Sequence, residues 1–215
     1  MKHLIFGGHG RVALLASTIL VGDGHTVTSI IRNPDHAADV ERTGATPLVL
    51  DVETADREDL VEAMRGHDAI IWSAGAGGGN PARTRAVDLE AATRSMDAAK
   101  EAGVSRYVMV SYLNSRLDHG IPESEPFYTY AQSKAEADEH LRGSGLDYTI
   151  LGPGSLTLEE PTGRITVIEG GATGSTDTSR GNVALAIAAA LDSPASIGRT
   201  IGFIDGDTPI ADVFS

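Results

Sequence analysis

The stretch KHLIFGGHGRVA, residues 2–13, decides the fold of this chain. Leu4, Ile5 and Phe6 form a short apolar run of the kind found in a buried strand. Glycines follow the run at once, and residues 12–20 then have the apolar composition of a helix. A strand, a glycine turn and a helix in this order form the context in which a glycine motif indicates a dinucleotide site.

The glycines fit two motifs. Gly8, Gly10 and Ala13 give G-x-G-x-x-A, whereas Gly7, Gly10 and Ala13 give G-x-x-G-x-x-A. Glycine allows a tight turn and close approach of backbone N–H groups to a pyrophosphate, and the helix N-terminus adds free donors and a partial positive charge. The alternative is a tight turn that binds nothing. The predicted pyrophosphate-binding residues are Gly7, Gly8, His9, Gly10, Arg11 and Val12.

Composition excludes several classes of protein. The chain has 215 residues, enough for one α/β domain, and no apolar run long enough to span a bilayer. We expect no signal peptide and a cytoplasmic location. The net charge of −13 argues against a nucleic-acid partner, because phosphate binding needs a basic surface. The seven His are scattered and Cys is absent, so we expect neither a metal site nor thiolate chemistry.

Strand and helix patterns alternate five times with short joins as far as residue 111. This alternation predicts a Rossmann-like, doubly wound parallel sheet, with the carboxyl ends of the strands on one edge, where ligands bind. A sixth strand near 146–154, a short strand at 164–167, an alanine-rich helix capped by Ser179 and a last strand near 199–204 follow. We expect one domain over residues 1–215, with a small substrate-loop region at about 152–178.

Arg32 ends the second predicted strand, where the adenosine ribose of a dinucleotide lies. An acid at this place suits the 2′-hydroxyl of NAD, whereas an arginine suits the 2′-phosphate of NADP, so the sequence favours NADP. The alternative is a solvated arginine. Asp51 ends the third strand and either accepts from the adenine amino group, with Val52 covering the ring, or caps the next helix.

The segment after the fourth predicted strand, Ala69–Trp72, is unusually rich in glycine. Ser73, Ala74 and Gly75 follow the strand, and Gly77 to Gly79 come next. Such a run indicates close backbone approach to a ligand, here the middle of the cofactor. The alternative is a mobile lid without ligand contacts.

Tyr130 and Lys134 lie four residues apart in a helix that we predict to begin near Phe127, so they share one helical face. A nearby ammonium favours the phenolate form of a tyrosine and would make Tyr130 a proton donor and acceptor at a carbonyl. Most Y-x-x-x-K pairs are a packed tyrosine beside a surface lysine. After five βα units and a glycine turn, we predict a catalytic pair.

Together these segments resemble the atypical, single-domain short-chain dehydrogenases/reductases of the NAD-dependent epimerase/dehydratase superfamily. The chain is similar to the NAD(P)H-binding branch that includes the NmrA-like proteins and the flavin/biliverdin reductases, and the resemblance covers essentially the whole chain. The segments that carry it are FGGHGRVA (6–13), IIRNP (30–34), LDV (50–52), WSAG (72–75), RYVMVS (106–111), YAQSK (130–134), LDYTILGPGSLT (146–157) and GDTPI (206–210).

The resemblance implies a role for each predicted site residue. Tyr130 would be the general acid, and Lys134 would hydrogen-bond the nicotinamide ribose. The remaining roles are pyrophosphate on Gly7 and Gly10, 2′-phosphate on Arg32, adenine beside Asp51 and Val52, cofactor lining by Ser73, Ala74 and Gly75, and the carboxamide near Pro153 and Gly154.

Three positions depart from the family pattern. Ala13 replaces the final motif glycine, and Gly152 stands where relatives often carry an arginine. Leu113 occupies the position of the serine that polarises the substrate carbonyl in full dehydrogenases. Either Ser111 or Asn114 substitutes for that serine, or the catalytic triad is incomplete.

The sequence therefore favours an NADPH-dependent reductase of a small molecule. Two alternatives stay open: a non-catalytic NADP(H)-binding redox sensor of NmrA-like type, which the replaced serine suggests, and an NAD-dependent epimerase/dehydratase. Relatives of the last kind normally have a larger C-terminal substrate region. We expect no nucleic-acid or membrane partner, and a monomer or a homodimer.

Overall fold

The computed structural model describes residues 1–77, 80–170 and 174–215. The strands are β1 (Lys2–Phe6), β2 (Thr26–Ile31), β3 (Thr46–Val49), β4 (Ala69–Trp72), β5 (Arg106–Val110), β6 (Asp147–Pro153), β7 (Ser155–Thr157), β8 (Arg164–Val167), β9 (Asp177–Ser179), β10 (Arg199–Asp205) and β11 (Thr208–Pro209). The α-helices are α1 (Arg11–Gly22), α2 (Ala37–Glu41), α3 (Arg57–Met64), α4 (Pro81–Thr84), α5 (Ala92–Ala102), α6 (Tyr128–Gly143), α7 (Arg180–Asp192) and α8 (Ile210–Phe214). A π-helical segment, Arg85–Ala91, joins α4 to α5.

The main sheet has the strand order β11-β8-β10-β6-β5-β4-β1-β2-β3. Strands β1 to β6 and β10 run parallel, while β8 and β11 close one edge with antiparallel pairing. The chain reverses direction across the sheet at β1, which is the switch point where doubly wound folds bind ligands. The predicted Rossmann-like parallel sheet is therefore confirmed.

The central strands are mostly apolar because helices cover both faces of the sheet. Successive side chains of a strand point to opposite faces, so Ile5 joins the core beneath α1 and α7, whereas Leu4 and Phe6 join the core beneath α3, α5 and α6. All four residues of β4 are buried. This two-sided burial fixes the strand ends, and with them the edge that carries the site.

Short and polar elements differ from the sequence-based prediction. Strands β7 and β9 pair as a separate small parallel sheet within the region predicted as loops, and β11 and α8 form the C-terminal tail. Asp56, rather than Asp51, caps α3, since its side chain accepts from the N–H of Asp59. Gly78 and Gly79 lie outside the described residues. In the part of the chain that is described, no helix is long and apolar enough to cross a membrane.

His3 is a fully buried polar residue on β1. Neither ring nitrogen has a hydrogen-bond partner among the described residues, and the ring of His25 lies 4.8 Å away, centroid to centroid. Burial, together with the positive charges of His25 and the N-terminus, lowers the pKa of His3 to about 4. The fold therefore holds this imidazole in its neutral form.

We expect acid to destabilise the protein through His3. Its folded pKa lies below the unfolded value, so below pH 6.5 the unfolded chain binds the extra proton and up to about 3 kcal/mol of stability is lost as pH falls towards 4. His3→Leu should flatten the dependence of the unfolding free energy on pH in that window, measured by urea denaturation. Substitution of the exposed His140 by Gln is the control, and an unchanged acid slope in His3→Leu would contradict the assignment.

Candidate functional site

The turn between β1 and α1 approaches two neighbouring strands too closely for side chains. Gly7 has φ +77°, and a Cβ there would lie 2.6 Å from the Cα of Ala74; a Cβ on Gly8 would lie 2.5 Å from the Cβ of Ser29. Gly10 caps α1 without a side-chain hydrogen bond. All three glycines have a steric or capping reason, so the two motif readings describe one turn.

Two cavities of about 710 and 330 Å³ lie along the carboxyl edge of the sheet. They share Gly10, Ser73, Ala74 and Gly75, so the glycine turn and the segment after β4 form the boundary of both. Such an elongated cleft, with exposed helix-terminal amides at its middle, fits a dinucleotide whose diphosphate lies on the turn. The clashes that a Cβ would make at Gly7 and Gly8 explain why both positions of the turn carry glycine.

The larger cavity brings together the predicted catalytic side chains. Tyr130, Lys134 and Ser111 line it, together with Arg11 and Val12 of the glycine turn. The Lys134 Nζ is buried and donates to the carbonyl oxygen of Val110 at 2.8 Å. The spacing of the Y-x-x-x-K pair thus places both side chains in one cavity.

Tyr130 is held in its protonated form. Burial raises the pKa of its phenol most, and the carboxylates of Asp88 and Asp138 raise it further. The expected lowering of this pKa by the ammonium of Lys134 is not seen: the pKa is raised, and the Lys134 Nζ donates to Val110. At neutral pH the phenol keeps its proton, as an ordinary tyrosine does.

Ser111 is bound to a buried acid that the sequence analysis missed. The Oγ atoms of Ser111 and Ser115 donate to the Oδ2 atom of Asp138 at 2.5 and 2.6 Å, and Oδ1 has no partner among the described residues. Burial raises the pKa of Asp138, against the opposing ammonium of Lys134. Asp138 follows Lys134 by one helical turn, a spacing that could have identified it from the sequence.

Leu113 is not among the described residues that line either cavity. Its side chain is buried and lies against Gly202, where a Cβ would come within 3.0 Å of the leucine Cδ1. Asn114 has φ +67° and is exposed, and it is not among the described residues that line either cavity. Of the two candidate substitutes, the structure brings only Ser111 into the cavity.

The segment after β4 is anchored by side chains from α4 and from the π-helical segment. The Oδ2 atom of Asp88 accepts from the N–H of Ala76 at 3.0 Å. The Nη1 atom of Arg83 donates to the carbonyl oxygen of Ala76 at 2.9 Å. Asp88 is buried in the π-helical segment, and burial raises its pKa. The described part of the segment therefore has fixed contacts, unlike the mobile lid of the alternative reading.

The smaller cavity contains the residues predicted at the adenosine end. Gly7, His9, Arg32, Asp51 and Val52 all line it. Asp51 accepts from the N–H of Glu53 at 3.0 Å. The sequence analysis missed two charged residues here, Glu53 and Arg83.

Three further predicted residues are not among the described residues that line the cavities: Gly8, Pro153 and Gly154. Gly8 donates from its backbone to Ile30, and Pro153 accepts from the N–H of Leu113. Gly154 donates to Phe203, which ties it to β10. These glycines and the proline shape the backbone around the cleft, and their contact with a cofactor stays a prediction.

We expect the Asp138→Asn variant to gain stability relative to wild type as pH rises. Folding raises the pKa of the Asp138 carboxyl above its ordinary value of 3.8. The wild-type protein therefore loses stability as pH rises above that value and the buried carboxyl must give up its proton, whereas asparagine has no proton to lose. The difference in melting temperature, variant minus wild type, should increase between pH 5 and pH 8. Asp118→Asn, at a side chain that is 89% exposed, should show no such trend. A difference for Asp138→Asn that is constant with pH would contradict the prediction.

Comparison with known proteins is consistent with this geometry. A family model described as NAD(P)H-binding matches residues 7–194. The uncharacterized sugar epimerase YhfK of Bacillus subtilis is 34% identical over 99% of this chain and 98% of its own. A Bacillus halodurans structure, provisionally described as an NAD-dependent epimerase/dehydratase, has a TM-score of 0.90 at 32% identity, covering 100% of this chain and 98% of that one. ChuY of Escherichia coli O157:H7, described as an anaerobillin reductase, has a TM-score of 0.79 at 26% identity, covering 96% and 98%.

Proposed function

The chain belongs to the NAD(P)H-binding family, as a single-domain protein of the atypical short-chain dehydrogenase/reductase type, and on this premise we propose that it is an NADPH-dependent reductase of a small molecule. Bound NADPH would supply the hydride. Gly7, Gly10 and the first turn of α1 would hold its diphosphate, and Arg32 its 2′-phosphate.

The observation that carries the proposal is the placement of Tyr130, Lys134 and Ser111 together in the larger cavity. Reduction of a carbonyl adds a proton to the oxygen, and a tyrosine phenol in that cavity carries a proton at neutral pH that it can donate. Ser111 lines the same cavity, and its hydrogen bond to Asp138 fixes the orientation of its hydroxyl. The Lys134 side chain, held by its hydrogen bond to Val110, lines the same cavity as the tyrosine.

A sugar epimerase or dehydratase is the second candidate, because the B. subtilis relative at 34% identity is named a sugar epimerase. An enzyme of this kind first removes a proton from a substrate hydroxyl, so its tyrosine must act as a base. The raised pKa of Tyr130 lowers the fraction of phenolate that is available as a base at neutral pH. Net consumption of NADPH with an acceptor distinguishes the two, since an epimerase regenerates its cofactor in each turnover.

Tyr130→Phe should lower kcat at least ~100-fold with little change in the Kd of NADPH, because general acid catalysis contributes roughly 10²–10⁴. Steady-state oxidation of NADPH with an active acceptor, found by screening carbonyl, quinone and flavin compounds, measures the effect. Tyr128→Phe, on the same helix but outside the described cavity linings, is the matched control. A loss of less than ~10-fold would exclude Tyr130 as the acid, and no turnover with any acceptor would favour the sensor.

Arg32→Ala should weaken NADPH binding by about tenfold or more and change NADH binding by less than about threefold, since only NADPH has a 2′-phosphate to lose. Isothermal titration calorimetry with both dinucleotides measures the change. Arg57→Ala, which removes the exposed Arg57–Glu101 pair, serves as the control. Equal losses for the two dinucleotides would mean that Arg32 has a structural role only.

A further inference from the structure

Glu53 lies between two guanidinium groups at the adenosine end of the cleft. Its Oε1 atom accepts from Nη1 of Arg32 and from Nε of Arg83, each at 2.8 Å. All three side chains line the smaller cavity. Two arginines that converge on one oxygen form an anion site, because guanidinium donors bind carboxylate and phosphate oxygens in the same way.

Arg83 is fixed in this position by the backbone. Its Nη1 atom donates to the carbonyl of Ala76, and its own N–H donates to the side chain of Asn80, which caps α4. One edge of the guanidinium is thus occupied by the wall of the cleft, and Nε faces Glu53. The arginine therefore offers a preorganised donor to an anion in the cavity, without further ordering of its side chain.

We infer that Glu53 competes with the 2′-phosphate of NADP(H) for Arg32 and Arg83, and so limits the preference for NADP(H) over NAD(H). The inference rests on the proposed function. It also makes Arg83 a second phosphate-binding residue, one that strand-end position does not predict.

Charge explains why Glu53 lowers the affinity for NADP(H) rather than the affinity for NAD(H). A 2′-phosphate carries more negative charge than a carboxylate and has three acceptor oxygens, so it can displace Glu53 from both arginines. The displaced carboxylate then stays beside the phosphate and repels it, which lowers the affinity for NADP(H). With NAD(H) no anion displaces Glu53, and its second oxygen can accept from the ribose 2′-hydroxyl.

Ordinary surface ion pairs do not have this arrangement. The pair of Arg57 and Glu101 joins a single arginine to a single glutamate, outside the described linings of both cavities. The Glu53 side chain is only 23% exposed, but glutamine has the same shape and keeps an oxygen that can accept from both arginines, so Glu53→Gln should leave the fold intact. The effect of the substitution is then confined to the ligand.

The test is calorimetric titration of Glu53→Gln with NADPH and NADH. Glutamine keeps the shape of the side chain and removes its charge, so the Kd of NADPH should fall about tenfold while that of NADH stays the same or rises about threefold. Arg83→Ala should raise the Kd of NADPH about tenfold with little effect on NADH. Thermal unfolding confirms that each variant is folded, and Glu101→Gln is the matched control.

The outcomes separate this inference from the function it rests on. An unchanged or lower preference for NADPH in Glu53→Gln, with wild-type binding intact, overturns the inference alone. An Arg83→Ala variant that loses NADPH and NADH equally also overturns it, because the arginine would then only support the wall at Ala76. Wild-type protein that binds neither dinucleotide overturns the proposed function as well.

Discussion

The close approach of the β1–α1 turn to β2 and β4 is the constraint on which the rest of the structure depends. A Cβ on Gly7 would lie 2.6 Å from Ala74, just after β4, and one on Gly8 would lie 2.5 Å from Ser29 in β2, so the turn can pack only with glycine at both positions. This contact sets the N-terminus of α1 directly beside the segment after β4. Both cavities border the contact, so a displacement of the turn would alter the cleft over its whole length.

The parts of the molecule that the sequence predicted are those in which local pattern and burial agree. Strand β4 is apolar at every position because both of its faces are covered, and Arg32, Asp51 and Ser73 follow from the rule that ligands bind at strand ends. Glu53 and Arg83 follow no such rule, since their role arises from a contact across 30 residues of chain. The π-helical segment has no sequence pattern of its own.

The predicted catalytic pair, Tyr130 and Lys134, shows the same limit in its protonation state. A spacing of four residues places Tyr130 and Lys134 on one face of α6, and the structure retains that geometry. The protonation state depends instead on what other segments bring to the face. Burial, Asp88 from the π-helical segment and Asp138 about two turns along α6 together raise the tyrosine pKa, and the lysine donates to Val110. Local spacing therefore predicts position, whereas titration depends on tertiary contacts.

The backbone of Ala76 makes hydrogen bonds to one residue from each of the two cavities. The N–H of Ala76 donates to Asp88, which lines the larger cavity together with Tyr130. The carbonyl oxygen of Ala76 accepts from Arg83, which also donates to Glu53 in the smaller cavity. One helical run thus supplies both anchors, twelve and seven residues from Ala76 along the chain. A net charge of −13 disfavours a polyanionic cofactor at long range, so binding of a dinucleotide would depend on local donors, such as the free amides at the N-terminus of α1 and the arginines that line the cavities.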